Sequence, residues 1–157
     1  MAQHSTRNTA TRSMGNGRHL TEELLDRLLA SASIEQYLDE GLVSARTLTD
    51  YLFDRMEAHD LRRADVVRAS GLNATVVYDI FSGKSRPGRD HAIMLAFGLK
   101  CTLRETQRLL RLAGVSELWC KQRRDAIIIW CIRNGFDRIA TDDELYRMGE
   151  ATLLPAD

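Results

Sequence analysis

The chain has few of the residues that interrupt regular secondary structure, with two prolines and ten glycines among 157 residues. Tight turns between strands require the left-handed backbone of glycine or the fixed φ of proline, so a chain poor in both is poor in such turns. Hydrophobic residues make up 44% and charged residues 28% of the chain, a balance typical of a globular protein with a sizeable core. The composition therefore predicts an all-α protein.

Long apolar runs, metal-ligand spacings and catalytic motifs are also missing. The longest apolar run has seven residues, 126–132, whereas a membrane span needs about 18 or more, and no signal-peptide stretch opens the chain. The three cysteines form no CxxC pair, the four histidines do not recur at i, i+4, and no Gly-rich phosphate loop or Ser/His/Asp spacing is present. We therefore expect a cytoplasmic protein that is not an enzyme, with buried free thiols and no metal, cofactor or membrane partner.

Acidic and basic residues balance over the whole chain, at 22 of each, but not along it. Residues 61–124 hold thirteen basic and five acidic side chains, a net charge of +8, whereas residues 1–60 and 125–157 each have a net charge of −4. A basic centre between acidic ends is typical of a surface that binds a polyanion. The alternative is an ordinary solvated surface whose charges segregate by chance.

The spacing of apolar residues predicts helices after an N-terminal arm. Residues 1–19 are rich in Ser, Thr, Asn and Gly and predict a disordered arm. Residues 20–43 predict two short helices, the first capped by Thr21 and the second, with Ile34, Tyr37 and Leu38 on one side, ended by Gly41. Residues 44–114 predict five further helices, at about 44–59, 62–70, 73–82, 90–97 and 103–113.

Residues 115–157 predict a C-terminal helical extension. The apolar run at 126–132 is rich in β-branched residues and would also suit a buried strand, but a lone strand has no partner here and the Asn-Gly pair at 134–135 is a helix stop. Thr141, followed by three acidic residues, predicts the start of a last short helix that ends near Met148.

The most informative stretch is residues 61–90, which read LRRADVVRASGLNATVVYDIFSGKSRPGRD. Two short helices that cross steeply need a turn residue that tolerates a positive φ, and Gly71 supplies it. Apolar residues at 66, 67, 72, 77 and 80 fall where two such helices share a small core. Asn73 is a good N-cap for the second helix, and Ser82 followed by Gly83 is a good ending.

This stretch resembles the helix-turn-helix of the Cro/XRE family, the lambda-repressor-like regulators of bacteria and phages. The turn glycine of the family corresponds to Gly71, the apolar residue after it to Leu72, and the buried aliphatics of the recognition helix to Val77 and Ile80. The small-Gly-Lys ending corresponds to residues 82–84. The resemblance is tight over about a fifth of the chain and implies a five-helix lambda-repressor-like domain over 44–114. A larger similarity to a subset of regulators continues through residues 108–114 and 123–129.

The resemblance implies which side chains meet DNA. In the family, the recognition helix, here about 73–82, lies in the major groove with its first residues against base edges. The implied base-contact candidates are Asn73, Ala74, Thr75, Tyr78 and Asp79. The implied phosphate-contact candidates, which would fix register rather than sequence, are Arg62, Arg63, Lys84, Arg86 and Arg89. No Arg or Gln occurs among the base-facing residues, so phosphate contacts outweigh base readout.

The resemblance thus implies a transcriptional regulator, associated with the nucleoid, that binds double-stranded DNA. A homodimer is expected because one recognition helix reads few base pairs. Its two-fold surface is either the leucine-rich helices before residue 44 or the segment that contains Trp119 and Trp130. Those tryptophans and the isoleucine run would otherwise line an effector pocket or, more often, form plain core. The alternative to DNA binding is a protein-binding adaptor with the same fold.

Overall fold

The computed structural model describes residues 16–39 and 47–155, and all regular elements in these ranges are helices. The chain divides into two compact units at residues 45 and 46. The first unit contributes α1 (Asn16–Ala30) and α2 (Ile34–Asp39). The second contributes α3 (Leu48–Ala58), α4 (Arg63–Ser70), α5 (Ala74–Phe81), α6 (Arg89–Gly98), α7 (Leu103–Leu112), α8 (Arg123–Arg133) and α9 (Arg138–Arg147). The all-α prediction is confirmed for the described residues, and none of their helices is long and apolar enough to cross a membrane.

The first unit corrects two predictions. Helix α1 begins at Asn16, so the disordered arm predicted for 1–19 is wrong at 16–19, and Thr21 lies inside the helix rather than at its N-cap. The helix thus begins before the predicted boundary, although it includes Gly17, a poor helix former. Ile34, Tyr37 and Leu38 share one side of α2 as predicted, but only Tyr37 on that side is buried. The remaining arm residues, 1–15, and Gly41 lie outside the described residues.

N-capping side chains set the helix starts in the second unit. Thr47 Oγ1 accepts a hydrogen bond from the Asp50 N–H at 3.3 Å, so α3 begins at Leu48 and not at residue 44. At α9, Asp137 Oδ1 accepts from the Ala140 N–H at 2.8 Å. Thr141, the predicted N-cap, is therefore wrong for that role. It is buried inside α9 and donates its hydroxyl to the Asp137 carbonyl at 2.8 Å.

Helix α6 is buried along most of its length, and α4, α7 and α9 contact it. Gly98 permits the close approach of α4, because a Cβ at this position would lie 2.9 Å from both the Ser70 Cβ and the Val66 carbonyl oxygen. On the other side, Arg55 of α3 pairs with Glu105 of α7, and His59 Nε2 lies 3.3 Å from the same carboxylate. Fully buried side chains from seven helices, α3 to α9, make one continuous core, among them Leu52, Val66, Val77, Ile93, Leu95, Leu99, Leu109, Leu110, Ile128 and Leu145.

Two crossed ion pairs join the start of α6 to the start of α8. Arg89 donates to both Asp125 oxygens at 2.9 and 2.7 Å. Arg124 donates to both Asp90 oxygens at 2.8 and 3.0 Å. The sequence pair Arg-Asp at 89–90 thus meets the pair Arg-Asp at 124–125 in reciprocal fashion, with two bidentate contacts. Helices α8 and α9 are therefore held on the same core as α3 to α7.

The tryptophans and one cysteine are not where the sequence predicts them. The plain-core expectation is wrong for Trp119 and Trp130, which are 61% and 53% exposed. Trp119 lies in the α7–α8 connection, and Trp130 is on the outer side of α8, where its ring contacts Phe136 edge-on at 5.3 Å. Cys131 is buried and Cys101 half-buried, but Cys120 is exposed, so the prediction of buried thiols is wrong at that residue.

Candidate nucleic-acid interface

The turn between α4 and α5 has the predicted glycine conformation. Gly71 ends α4 with φ +76°, a left-handed backbone, and Leu72 after it is buried. Asn73 then caps α5, because its Oδ1 accepts from the Thr75 N–H at 2.8 Å. The predicted recognition helix, 73–82, corresponds to α5 with its two capping residues.

Helix α5 has one buried and one outward face. Val77, Ile80 and Phe81 are buried, and the Phe81 ring contacts the Phe53 ring edge-on at 5.2 Å. The five base-contact candidates lie away from this core. Asn73, Thr75 and Tyr78 are exposed, while Ala74 and Asp79 are partly exposed. The arrangement leaves one side of α5 free for a partner.

Two of these side chains have local contacts that limit what they can recognise. The Oδ1 atom of Asn73 already accepts the Thr75 N–H, so its unengaged polar group is the side-chain NH2. The ring of Tyr78 is 45% exposed and lies 5.4 Å from the Arg63 guanidinium. This cation–π contact, which contributes about 0.5–1 kcal/mol at an exposed site, holds Arg63 beside the outward face of α5.

Four of the five phosphate-contact candidates border α5 and are free of intramolecular ion pairs. Arg62 and Arg63 stand at the start of α4, and Lys84 and Arg86 follow α5. All four side chains are exposed, and none forms an ion pair with any residue of 16–39 or 47–155. Gly83, with φ +79°, turns the chain after α5, where the Lys84 N–H donates to the Asp79 carbonyl at 2.9 Å.

Arg89 does not belong with these four. Besides its two bonds to Asp125, its guanidinium donates to the Ser116 and Glu117 carbonyls, both at 3.0 Å. Burial alone would raise the pKa of Asp125, but the hydrogen bonds from Arg89 and from the Trp119 N–H outweigh it and lower that pKa. Four of the five N–H groups of Arg89 are thus engaged within the protein, which argues against the phosphate contact predicted for it.

Ser85 is a candidate that sequence reasoning missed. It is exposed between Lys84 and Arg86, and its own N–H donates to the Asp79 carbonyl at 3.2 Å. Serine hydroxyls are common phosphate donors in protein–DNA contacts. The signal in the sequence was its position between two cations directly after the recognition helix.

Part of the +8 charge of residues 61–124 is neutralised inside the fold. Arg89, Arg123 and Arg124 pair with Asp125, Glu150 and Asp90, and two of those acids belong to the acidic C-terminal segment. The pairs Arg124–Asp90 and Arg111–Glu117 join residues within 61–124 and leave the net charge of that segment unchanged. The basic centre is therefore only partly available to a polyanion. Among the described residues of this segment, eight exposed cations form no ion pair: four border α5 (Arg62, Arg63, Lys84 and Arg86) and four lie elsewhere (Lys100, Arg104, Arg108 and Lys121).

Among the described residues, no group of three or more His, Cys, Asp or Glu side chains is placed to hold a metal ion.

No protein-family model, curated protein or solved structure matches the chain.

Proposed function

We propose that the chain is a DNA-binding transcriptional regulator that inserts α5 into the major groove. The observation that carries this proposal is the outward face of α5, which is exposed and bordered by four unpaired cations. A surface that binds a neutral partner has no need of unpaired arginines and lysines on both sides of one helix, whereas a duplex presents phosphates on both sides of its groove.

Phosphate contacts fix the register in this proposal. Arg62 and Arg63 bind one strand together with the positive N-terminal end of α4. Lys84, Arg86 and the hydroxyl of Ser85 bind the other. Arg63 is already held by the Tyr78 ring, so it loses less conformational freedom on binding than an unrestrained arginine does.

Base contacts come from the first two turns of α5. The NH2 group of Asn73 donates to an acceptor on a base edge, and Ala74 and the Thr75 methyl contact a thymine methyl group. Asp79 accepts from a cytosine amino group. Because Asn73 offers only one free group, its bidentate pairing with adenine is weakened, and the modest readout is completed by a second copy of the chain.

The exposed apolar side chains supply surfaces for such a homodimer. On α1, Leu25 and Leu29 are 53% and 74% exposed; in the second unit Trp119, Trp130 and Tyr146 are exposed. A two-fold dimer places its recognition helices about 34 Å apart, one turn of DNA. Sedimentation of the chain with and without a bound duplex tests this, and a single copy on each bound duplex contradicts it.

The central experiment compares two triple variants. One replaces the clamp cations (Arg63→Ala, Lys84→Ala, Arg86→Ala). The matched control replaces three cations that are also exposed but lie elsewhere (Arg104→Ala, Lys121→Ala, Arg133→Ala). Affinity for a random-sequence duplex is measured by fluorescence anisotropy, and circular dichroism verifies that both variants fold.

We expect the clamp variant to lose about 100-fold in affinity and the control to lose much less. If both variants lose affinity equally, the placement of the clamp is wrong. If the unmodified chain shows no salt-dependent binding to DNA, the proposal fails and the alternative of a protein-binding adaptor is favoured.

A further inference from the structure

A cleft of about 480 Å³ lies between the end of α4, the α6–α7 turn and the segment from the end of α8 to the start of α9. That volume is within the range of small-molecule sites, about 300–1,000 Å³. The side chains that matter for its chemistry are Arg68, Phe97, Lys100, Phe136, Arg138 and Ile139. No base-contact or phosphate-contact candidate lines it.

The charge of the cleft is positive. Lys100 is exposed and forms no ion pair with any described residue. Arg68 lies 3.5 Å from Asp65, but its side chain is 78% exposed and this contact is weak. The one carboxylate in the lining, Asp137, accepts the N–H of Ala140 at Oδ1 and keeps its negative charge, but the two cations outnumber it. Two cations therefore remain available to an anion.

Lys100 occupies a backbone position that favours glycine. Its φ is +55°, and five of the seven left-handed residues in the described part of the chain are glycines. An L side chain costs free energy in this conformation. The conformation itself is the usual end of a helix, since the Lys100 N–H donates to the Phe97 carbonyl at 3.0 Å. Glycine would form this turn at lower cost, so the turn does not explain why a lysine occupies the position. The lysine does line the cleft.

Arg138 is a third cation in the lining. Its side chain is 10% exposed, its Nη1 donates to Asp142 at 2.6 Å, and its Nε has no hydrogen-bond partner. A buried guanidinium with an unused donor is costly for the fold. Because Asp142 compensates its charge, Arg138 adds a polar wall to the cleft rather than a third free cation.

The remaining lining is apolar and includes two aromatic rings. Phe97 and Phe136 are half-buried, and Ile139 is 61% exposed. Inorganic phosphate would pair with the cations but make no use of these walls. An apolar molecule without charge would leave the cations unused. The lining as a whole matches a molecule with one anionic group on an apolar body.

We propose that this cleft binds a small organic anion with an aromatic body, with Lys100 and Arg68 pairing its charge and Phe97 and Phe136 packing on its ring. Cys101, the one thiol in the lining, is protonated at neutral pH, because burial raises its pKa to about 12.

The test uses the full chain and the fluorescent aryl anion 8-anilinonaphthalene-1-sulfonate. Its neutral counterpart, N-phenyl-1-naphthylamine, has the same rings without the sulfonate. Both probes are titrated into the unmodified chain and into Lys100→Gln, Arg68→Gln and the control Lys121→Gln, which removes an exposed lysine outside the cleft. Trp119→Ala controls for adsorption to exposed aromatic surface.

We expect saturable sulfonate binding that weakens about tenfold in Lys100→Gln, more than twofold in Arg68→Gln, and less than twofold in both controls. Neutral-probe binding is the same in all the lysine and arginine variants. Lys100→Gly separates this role from a structural one, because glycine relieves the left-handed backbone and raises the urea midpoint while still weakening the sulfonate. Equal sulfonate affinity in Lys100→Gln and Lys121→Gln, or no saturable binding at all, overturns the proposal. This test does not depend on DNA binding.

Discussion

Gly71 satisfies two separate constraints. Its φ of +76° is unfavourable for any residue with a Cβ, and a Cβ there would lie 2.6 Å from the Arg138 Nε. The turn between α4 and α5 is thus fixed from outside by a side chain of α9, 67 positions further along the sequence. The sequence predicts the first constraint through the turn, but it carries no signal for the second.

The substitution Gly71→Ala should lower the free energy of unfolding by at least about 2 kcal/mol, through the left-handed backbone and the displacement of Arg138 together. Urea denaturation measures this. The control Gly149→Ala has φ +75° but no heavy atom within 4 Å of the added Cβ. It should therefore lose only the backbone part, about 1 kcal/mol. Equal losses of unfolding free energy in the two variants would show that the Arg138 side chain moves aside at no cost.

The lowered pKa of Asp125 makes the free energy of unfolding depend on pH. Because its pKa is lowered in the folded chain, the carboxylate stabilises the fold above its ordinary pKa, 3.8, and that contribution is lost as the pH falls through the lower folded value. Asp125→Asn should cost about 3 kcal/mol at pH 7, since it leaves Arg89 without its charge partner. Between pH 7 and pH 3 the variant should then lose less stability than the unmodified chain.

Urea denaturation at both pH values checks this prediction. The control is Glu117→Gln, whose partner Arg111 has a side chain that is 71% exposed. An exposed pair contributes at most about 1 kcal/mol, so this variant should change little. A loss at pH 7 as small as that of the control would mean that the crossed pairs do not stabilise the fold.

At the scale of the element, Asn73 caps α5 and, in the proposed function, also contacts a base. Asn73→Ser keeps a capping oxygen and should stay within a few tenths of a kcal/mol of the unmodified chain, whereas Asn73→Ala should lose about 1 kcal/mol. If the side-chain NH2 reads a base, both variants change the preferred sequence in a selection from a random duplex pool. An unchanged preference in Asn73→Ser removes this residue from the readout.

Helix positions in the second unit were largely predictable because short-range chemistry sets them. The capping hydrogen bonds of Gly71 and Asn73 reach residues at most four positions away, and α5 matches its prediction to within its caps. The start of α9 was missed because Asp137 and Thr141 are both good caps, and only the fold shows that Thr141 is buried. Local propensity does not distinguish two such residues four positions apart.

The candidate interface was predictable as a region but not as a set of partners. The cations before and after α5 are exposed as a helix-turn-helix requires, but nothing near Arg89 in the sequence shows that Asp125, 36 residues later, engages it. Trp130 and the lining of the cleft were missed for the same reason, since both depend on how distant helices pack. Apolar composition alone does not tell an exposed tryptophan from a core one.

For the whole molecule, the four unpaired cations set the expected response to salt. If Arg62, Arg63, Lys84 and Arg86 each neutralise one phosphate, the logarithm of the binding constant should fall with the logarithm of salt concentration with a slope of about −3.6 per subunit. The clamp variant, which keeps only one of them, should fall to a slope of about −0.9 per subunit. Anisotropy titrations from 50 to about 200 mM salt measure both slopes.

A dimer doubles the slope and places two half-sites about 10 base pairs apart in the selected duplexes. A slope near zero for the unmodified chain would contradict DNA binding, and selected duplexes with a single half-site would contradict the dimer alone. The salt slope therefore tests DNA binding, and the spacing of half-sites in the selected duplexes tests the dimer.

The crossed ion pairs between α6 and α8 affect whether the chain can be cut into two fragments that fold separately. A cut in the α7–α8 connection would leave one arginine and one aspartate on each piece, spaced to meet the opposite charges of the other piece. We therefore expect the two pieces to associate with each other rather than to fold separately. A shortened chain that ends after α7 would therefore have Arg89 and Asp90 at the start of α6 without their ion-pair partners, Asp125 and Arg124.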